Sequence, residues 1–473
     1  MAKLIPIYTW NKNFLEFSKR SDKLSHKPWF QGALLLGCVV LAMLLANLPF
    51  TKHLYHAILE THFQARLSSP DGSFNLLFPR DLTVEKFIND VLMVIFFFTV
   101  GLEIRREVAH GELSSLKKAL LPVIAAFGGV IAPAVIYTII NHGTAAASGW
   151  GIPTATDIAF AICILSVLSD KVPVSLKVFL TALAIADDLI AILVVAIFYG
   201  GSINIHLLVI ALIIILFTLA LRRLGEKNMF PYIFFAIIVW ALFYYSGIHA
   251  TMSGVVMAFL IPAKSRYNKA QYIHKRNKYL ARLAKYDGID DEPFPNGPQK
   301  HCLRKLEKIA HGSMDMSYRV EHALAPWVNF LIMPIFALAN AGVEITDPSF
   351  FNVFSYDAAL GSVSMGIFLG LLLGKPLGIT LFSWLAIKLK IGQMPEGANW
   401  KMFFAVACLG GIGFTMSIFV DTLSFANLAG GVTAQLRDAG KIAVLMGSVS
   451  AGLLGSLLIS IVHKSGKAKE ISK

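Results

Sequence analysis

Two adjacent aspartates, Asp187 and Asp188, stand inside the run 174–199, which is otherwise almost wholly apolar. Upstream, Thr156-Asp157 interrupts a second apolar run, and far downstream Lys375-Pro376 interrupts a third. A charge at mid-membrane depth costs roughly 2.5–3.5 kcal/mol on insertion scales and more in simulations. Ionisable residues are therefore rare there, and they mark ion paths and proton relays. Burial raises the pKa of a carboxylate and lowers that of a lysine, so such groups can trade protons near neutral pH. Carboxylate and hydroxyl oxygens are also the ligands a hard monovalent cation takes. Neighbouring residues of a helix point about 100° apart, so Asp187 and Asp188 cannot both face one partner. One could reach Lys375 while the other faces a water-filled funnel. A single lysine cannot neutralise three carboxylates, which argues against a set of purely structural ion pairs.

The elements that position these residues are membrane helices. Of the 473 residues 56% are hydrophobic and only 15% charged, against about 25% charged in soluble proteins. A soluble domain could not cover that much apolar surface. Four cysteines, three of them in apolar spans, do not form a disulfide framework. The net charge of +13 raises the question of nucleic acid, but the basic residues flank hydrophobic spans, the pattern of the positive-inside rule. No nucleic-acid partner and no cofactor is expected, and nothing in the chain reads as an enzyme domain. The segment 1–28 carries six Lys/Arg and no apolar core, and the span that follows it is too long for a cleaved signal.

Twelve candidate spans follow by length and apolar content: 29–50, 87–104, 119–141, 152–168, 174–200, 205–221, 230–246, 249–263, 327–343, 358–387, 402–420 and 439–463. The expected organisation is a cytoplasmic N-terminal segment 1–28, membrane helices one to eight over 29–263, a basic cytoplasmic insert 264–325, helices nine to twelve over 326–463, and a cytoplasmic tail 464–473. Lys and Arg concentrate after spans two, four and six, between spans ten and eleven, and in the tail. The stretches 142–151 and 200–205 have no charged residue. Both termini are thus expected on the cytoplasmic face of a bacterial inner membrane. The insert holds thirteen Lys/Arg and seven Asp/Glu, and reads as two helices near 268–285 and 300–311 around the loop 287–298. The acidic stretch 287–292 lacks the ligand spacing of an EF-hand.

Two spans carry helix-breaking residues before a threonine that is followed four residues later by phenylalanine. They are Gly151-Ile152-Pro153-Thr154-Ala155-Thr156-Asp157-Ile158-Ala159-Phe160 in span four and Gly410-Gly411-Ile412-Gly413-Phe414-Thr415-Met416-Ser417-Ile418-Phe419 in span eleven. Interrupted spans in corresponding positions of two halves point to a transporter's binding site. With Gly101-Leu102-Glu103-Ile104-Arg105-Arg106-Glu107, Leu183-Ala184-Ile185-Ala186-Asp187-Asp188-Leu189, Phe336-Ala337-Leu338-Ala339-Asn340-Ala341-Gly342 and Gly374-Lys375-Pro376-Leu377-Gly378-Ile379, the chain resembles the bacterial NhaA family of sodium/proton antiporters. The resemblance runs in order from about residue 29 to 463. It departs in the insert 264–325 and at Ala325, where relatives are expected to carry a second histidine.

The resemblance implies an all-α polytopic membrane fold of about twelve helices, in which spans 3–5 and 10–12 form inverted repeats and the discontinuous spans four and eleven cross. It places Asp157 as compensation for the positive half-helix ends and, with Thr156, at the cation site. Lys375 compensates the negative ends. It pairs Asp187 with Lys375 and gives the cation, Na+ or Li+, to Asp188. It reads Glu103, Arg106, Glu107, Glu321 and His322 as a pH-responsive cluster, histidine being the side chain that titrates near neutrality. The implied activity is electrogenic, pH-regulated Na+(Li+)/H+ antiport by alternating access, with a homodimer among the assemblies open to the chain. An intramembrane aspartyl protease would also use two membrane aspartates, Asp157 and Asp188. That alternative leaves Lys375 and the duplicated glycine-threonine stretch without a purpose.

Overall fold

In lipid the backbone has no water to bond to, so a spanning segment satisfies its own N–H and C=O groups as a helix. The computed structural model follows this rule. It describes residues 28–471 apart from 69–74, 112–113, 202, 227, 264, 266, 286–294, 296, 346–351, 357–360 and 427–430. The basic segment 1–27 and the acidic stretch 287–292 of the sequence reading lie outside the described residues. The protein is an all-α polytopic membrane protein.

Among the described residues nine helices are long and apolar enough to cross a membrane: Trp29–Asn47, Val84–Ala109, Lys118–Ile140, Val174–Phe198, Ile205–Arg223, Met229–Ser246, Met316–Asn340, Val363–Lys388 and Thr433–Ser465. Two further spans are bent pairs, Ala145–Thr154 with Ile158–Val167 at 42° and Trp400–Leu409 with Phe414–Ser424 at 53°. They sit where Gly-, Pro- and Thr-rich stretches interrupt spans four and eleven. The eighth expected span is the ten-residue helix Thr251–Leu260. At 1.5 Å per residue it is about 15 Å long, half the hydrocarbon thickness.

One departure from the sequence reading is a two-stranded antiparallel hairpin, His62–Ser68 with Asn75–Thr83, in the connection between the first two spans. The first strand alternates Phe63, Ala65 and Leu67 with polar residues, the two-residue period of a strand. That period is easily overlooked in a segment flanked by long helices.

The contacts divide the chain into two compact units. The first, residues 1–93, 107–201 and 328–473, holds both bent pairs, the aspartate helix Val174–Phe198 and the helix that begins at Lys375. Here Leu116–Ile140 and Lys375–Lys388 pack with backbones nearly touching: a Cβ on Gly128 would overlap the carbonyl oxygen of Gly378, and one on Gly378 that of Gly128. In membranes, where lipid is as apolar as leucine, such small-residue contacts are what hold helices together. Asn340, from the Phe336–Gly342 motif, exchanges amide bonds with Asn89 at 2.9 and 3.1 Å, tying the end of one span to the start of another.

The second unit, residues 94–106 and 202–327, has its own core of Leu102, Tyr232, Ala258, Ile261, Met316 and Val320. Buried Arg105 donates to the carbonyls of Ala258 and Ile261. It thereby caps the carbonyl end of the short helix Thr251–Leu260, which a cation favours. The basic insert contributes two helices, Lys269–Ala284 and Gly297–Ser313. The backbone N–H of Tyr267 donates to the Gly312 carbonyl at 3.1 Å, so the two ends of this helical hairpin meet.

Candidate ion-binding site at the helix breaks

The first break arises because Pro153 and the flanking small residues wind 145–154 as a 3-10 helix, after which 155–157 are extended. The second arises at Gly410-Gly411-Ile412-Gly413. Each break leaves backbone groups without intrahelical partners, and the two breaks satisfy one another. The Asp157 N–H donates to the Ile412 carbonyl at 2.6 Å, the Thr156 hydroxyl to the Gly410 carbonyl at 2.8 Å, and the Ser417 hydroxyl to the Ile152 carbonyl at 2.8 Å. Ser448 accepts from the N–H groups of Gly413 and Phe414 at 3.2 and 3.0 Å.

Asp157 lies between two half-helix N-termini. Its carboxylate accepts from the Phe160 N–H at 3.2 Å, capping Ile158–Val167, and from the Thr415 N–H at 3.1 Å, capping Phe414–Ser424; the Thr415 hydroxyl donates to it as well. Both ends carry unpaired N–H groups and the positive end of a helix dipole, so one buried carboxylate serves two helices.

Lys375 is fully buried, at 0% exposure. A π-turn, Gly370–Gly374, precedes it. Pro376 has no N–H to give to the preceding turn, and a widened turn there absorbs the missing bond. The ammonium donates to Asp187 and, at 2.5 Å, to the Thr156 hydroxyl. Through Thr156 it reaches the Gly410 carbonyl at the C-terminal end of Trp400–Leu409. Asp188, one residue beyond Asp187 and 2% exposed, also acts on Lys375 through its charge. The structure therefore sets Thr156 and Asp187 on the Lys375 ammonium, with the charge of Asp188 acting on it and Asp157 next to Thr156.

The second group of sequence-predicted residues is separate. Arg106 donates to Glu321, which is buried, and stands 3.8 Å from Glu103. His322 is exposed, its ring tilted by 34° against that of Tyr318 and its Nδ1 3.2 Å from the Tyr318 carbonyl. Glu107 follows Arg106 in the same helix, at a half-buried position.

This arrangement of broken, interlocked helices around buried charges is that of a transporter. The sequence profile described as Na+/H+ antiporter 1 matches residues 22–459. The chain belongs to that family. The antiporter is a transporter rather than an enzyme, with Na+ and H+ as its transported ions, and nothing favours the protease alternative. It is 39% identical to the Na+/H+ antiporter NhaA of Wolinella succinogenes, over 94% of each chain. It is 40% identical to that of Helicobacter pylori strain G27, over 93% of this chain and 95% of the other. The Na+/H+ antiporter NhaA 2 of Syntrophotalea carbinolica is 40% identical over 91% of this chain and 93% of its own.

Among the described residues, three buried charged side chains fall outside the site residues expected from the sequence: Arg105, Asp421 and Lys441. Each lies near the end of an apolar run, where a sequence gives no depth and a charge passes for interfacial. Asp421 follows the span assigned to 402–420 by one residue, yet it is 0% exposed.

Proposed function

We propose that the protein exchanges cytoplasmic Na+ or Li+ for external protons, electrogenically, with Asp188 as the principal cation ligand. Thr156 and Asp157 add oxygens to that site, and Asp187 carries a second exchangeable proton. In the proton-loaded state Asp187 and Lys375 are paired and that second proton is held between them; it leaves when the pair opens. A cation arriving from the cytoplasm takes the oxygens of Asp188 and its neighbours, and the displaced protons leave the same way. Because more than one proton moves per monovalent cation, the membrane potential drives the cycle by about 2.3 kcal/mol per net charge per 100 mV. The carrying observation is the convergence of Thr156, Asp187 and the charge of Asp188 on the buried Lys375 ammonium at the meeting point of two helix breaks.

The same reading sets both termini and the insert 264–325 in the cytoplasm of a bacterial inner membrane, with the chain organised as 1–28, 29–263, 264–325, 326–463 and 464–473. It gives Glu103, Arg106, Glu107, Glu321 and His322 the role of a pH-responsive group; the Arg106–Glu321 ion pair is the bond that titration would loosen. A homodimer in the lipid bilayer is part of this proposal.

The test is exchange in proteoliposomes with a pH dye and a membrane-potential dye. Adding Na+ or Li+ should move protons and charge with the wild-type protein. Asp188→Asn, folded and correctly inserted, should move neither. Measurable Na+/H+ exchange by purified Asp188→Asn would overturn the assignment of the cation ligand.

A further inference from the structure

The half-helix whose first turn clamps Asp157 carries another carboxylate that the exchange cycle above does not use. Asp421 stands six residues beyond Thr415, about 9 Å further along the same helix. It is completely buried, and neither of its oxygens has a hydrogen-bond partner. Gly440 of the last helix presses against it, so that a Cβ there would lie 2.9 Å from the carboxyl carbon. Any side chain at position 440 would push this carboxyl group out of its present place.

The charged groups facing Asp421 come from three elements. The last helix, Gly431–Ile471, presents buried Lys441 and half-buried Arg437 and Asp438, whose charges act on Asp421. Arg437 is itself bonded to Glu85 at 3.0 Å, at the half-exposed rim of the cluster. Tyr137 and Tyr199 face it from the other two elements. Both hydroxyl protons are already given away: Tyr137 donates to the Ala146 carbonyl and Tyr199 to the Ser148 carbonyl, at 2.8 and 2.9 Å.

These facts set two opposed demands. A buried carboxylate anion without a single donor carries a large desolvation penalty, which favours a proton on Asp421. The cations Lys441 and Arg437 favour its removal. A carboxyl group held between such demands changes its protonation state with modest changes around it. An ionisable group inside a membrane span is costly to insert and marks a functional site.

We propose that Asp421 is a second proton-binding site of this antiporter, filled and emptied past Lys441 and Arg437. On the orientation given above, that path opens on the external side. One proton adds to a carboxylate oxygen of Asp421 to give the neutral acid, and the same proton leaves to restore the anion. No other bond changes. The charge so gained or lost acts on the rigid segment Phe414–Ser424, and through Thr415 on the donors that hold Asp157. The site thereby couples external pH to the helix breaks. This proposal rests on the antiport reading for its coupling, but not for proton binding itself.

Two measurements on the purified full-length protein test it: pH-difference infrared spectra and the pH profile of Na+/H+ exchange in proteoliposomes. Asp421→Asn should lose one carboxyl C=O signal from the low-minus-high pH difference spectrum. Its exchange midpoint should move by about one pH unit, a tenfold change at the low end of usual coupling strengths. Asp421→Glu keeps a carboxyl group and should keep a carboxyl C=O signal, shifted in frequency by its tighter packing. If Asp421→Asn is not recovered from membranes, Asp421→Asn with Lys441→Met removes both charges and carries the same expectation. A difference spectrum unchanged by the substitution overturns the proton site, even if exchange is altered. A lost signal with an unmoved midpoint overturns the coupling. A wild-type protein that does not exchange Na+ for H+ defeats the antiport reading instead, and the infrared signal alone then decides whether Asp421 takes up a proton.

Discussion

Lys375 shows what one residue does at this site. An ammonium at 0% exposure persists only because Asp187, Thr156 and the charge of Asp188 surround it. Removing one partner of a buried ion pair costs about 3–5 kcal/mol, so Lys375→Ala is expected to lower the melting temperature in detergent markedly. It should also move the exchange profile towards alkaline pH, since the site then loses the cation that favours charged carboxylates. Lys375→Arg keeps the charge and should be milder on stability. Wild-type melting and a wild-type pH profile for Lys375→Ala would make the residue a bystander. Lys375, Asp157 and the pair Asp187–Asp188 were legible in the sequence because they interrupt long apolar runs. Asp421 and Lys441 were not, because each lies within two residues of a span boundary and sequence assigns no depth there. Nor could the sequence show that Thr156 would stand between Lys375 and Gly410.

At the scale of elements, the breaks were readable and their partners were not. Gly151 to Pro153 and Gly410 to Gly413 announce interrupted helices, and the structure bends both by more than 40°. Nothing in the pattern of Leu116–Ile140 says that it lies against Lys375–Lys388, because glycine pairs such as Gly128 and Gly378 look alike throughout membrane helices. That contact sets where Lys375 sits. Gly378→Val should force the two helices apart, and overpacking of this kind costs about 1–3 kcal/mol. Its expected signature is a lower melting temperature together with weaker exchange, although position 378 touches none of the charges. Melting and exchange indistinguishable from wild type would show that the close approach has no part in placing the ammonium. The ten-residue helix Thr251–Leu260 was difficult for a related reason: length alone does not separate a short span from an interfacial helix.

For the whole molecule, composition and span count were sufficient to establish a polytopic membrane protein. The division of contacts into two units was not legible, since each unit is assembled from segments distant in sequence. The basic insert shows the difference between a part and an accessory. Its two helices begin and end where Tyr267 meets Gly312, so residues 268–313 can be excised with little strain on the chain that remains. Neither Lys375 nor any of the three residues around it lies in the insert. The deletion is expected to keep Na+/H+ exchange, with an altered pH midpoint as the main change. A well-inserted deletion protein inactive at every pH would make the insert part of the transport machinery.

The interlocking of the two breaks also has a consequence for how the protein is made. Asp157 and Thr156 leave the ribosome more than 250 residues before Thr415 and Gly410, the groups that satisfy them. At roughly 5–20 residues per second, the first break enters the membrane tens of seconds before its partner exists. Throughout that interval a carboxylate and several bare backbone groups stand at membrane depth with their final donors and acceptors still untranslated. The cell's insertion machinery, or water admitted beside the nascent helices, has to hold this segment open. Quality control acting on ribosome-stalled or truncated chains would meet an exposed polar break within an otherwise apolar bundle.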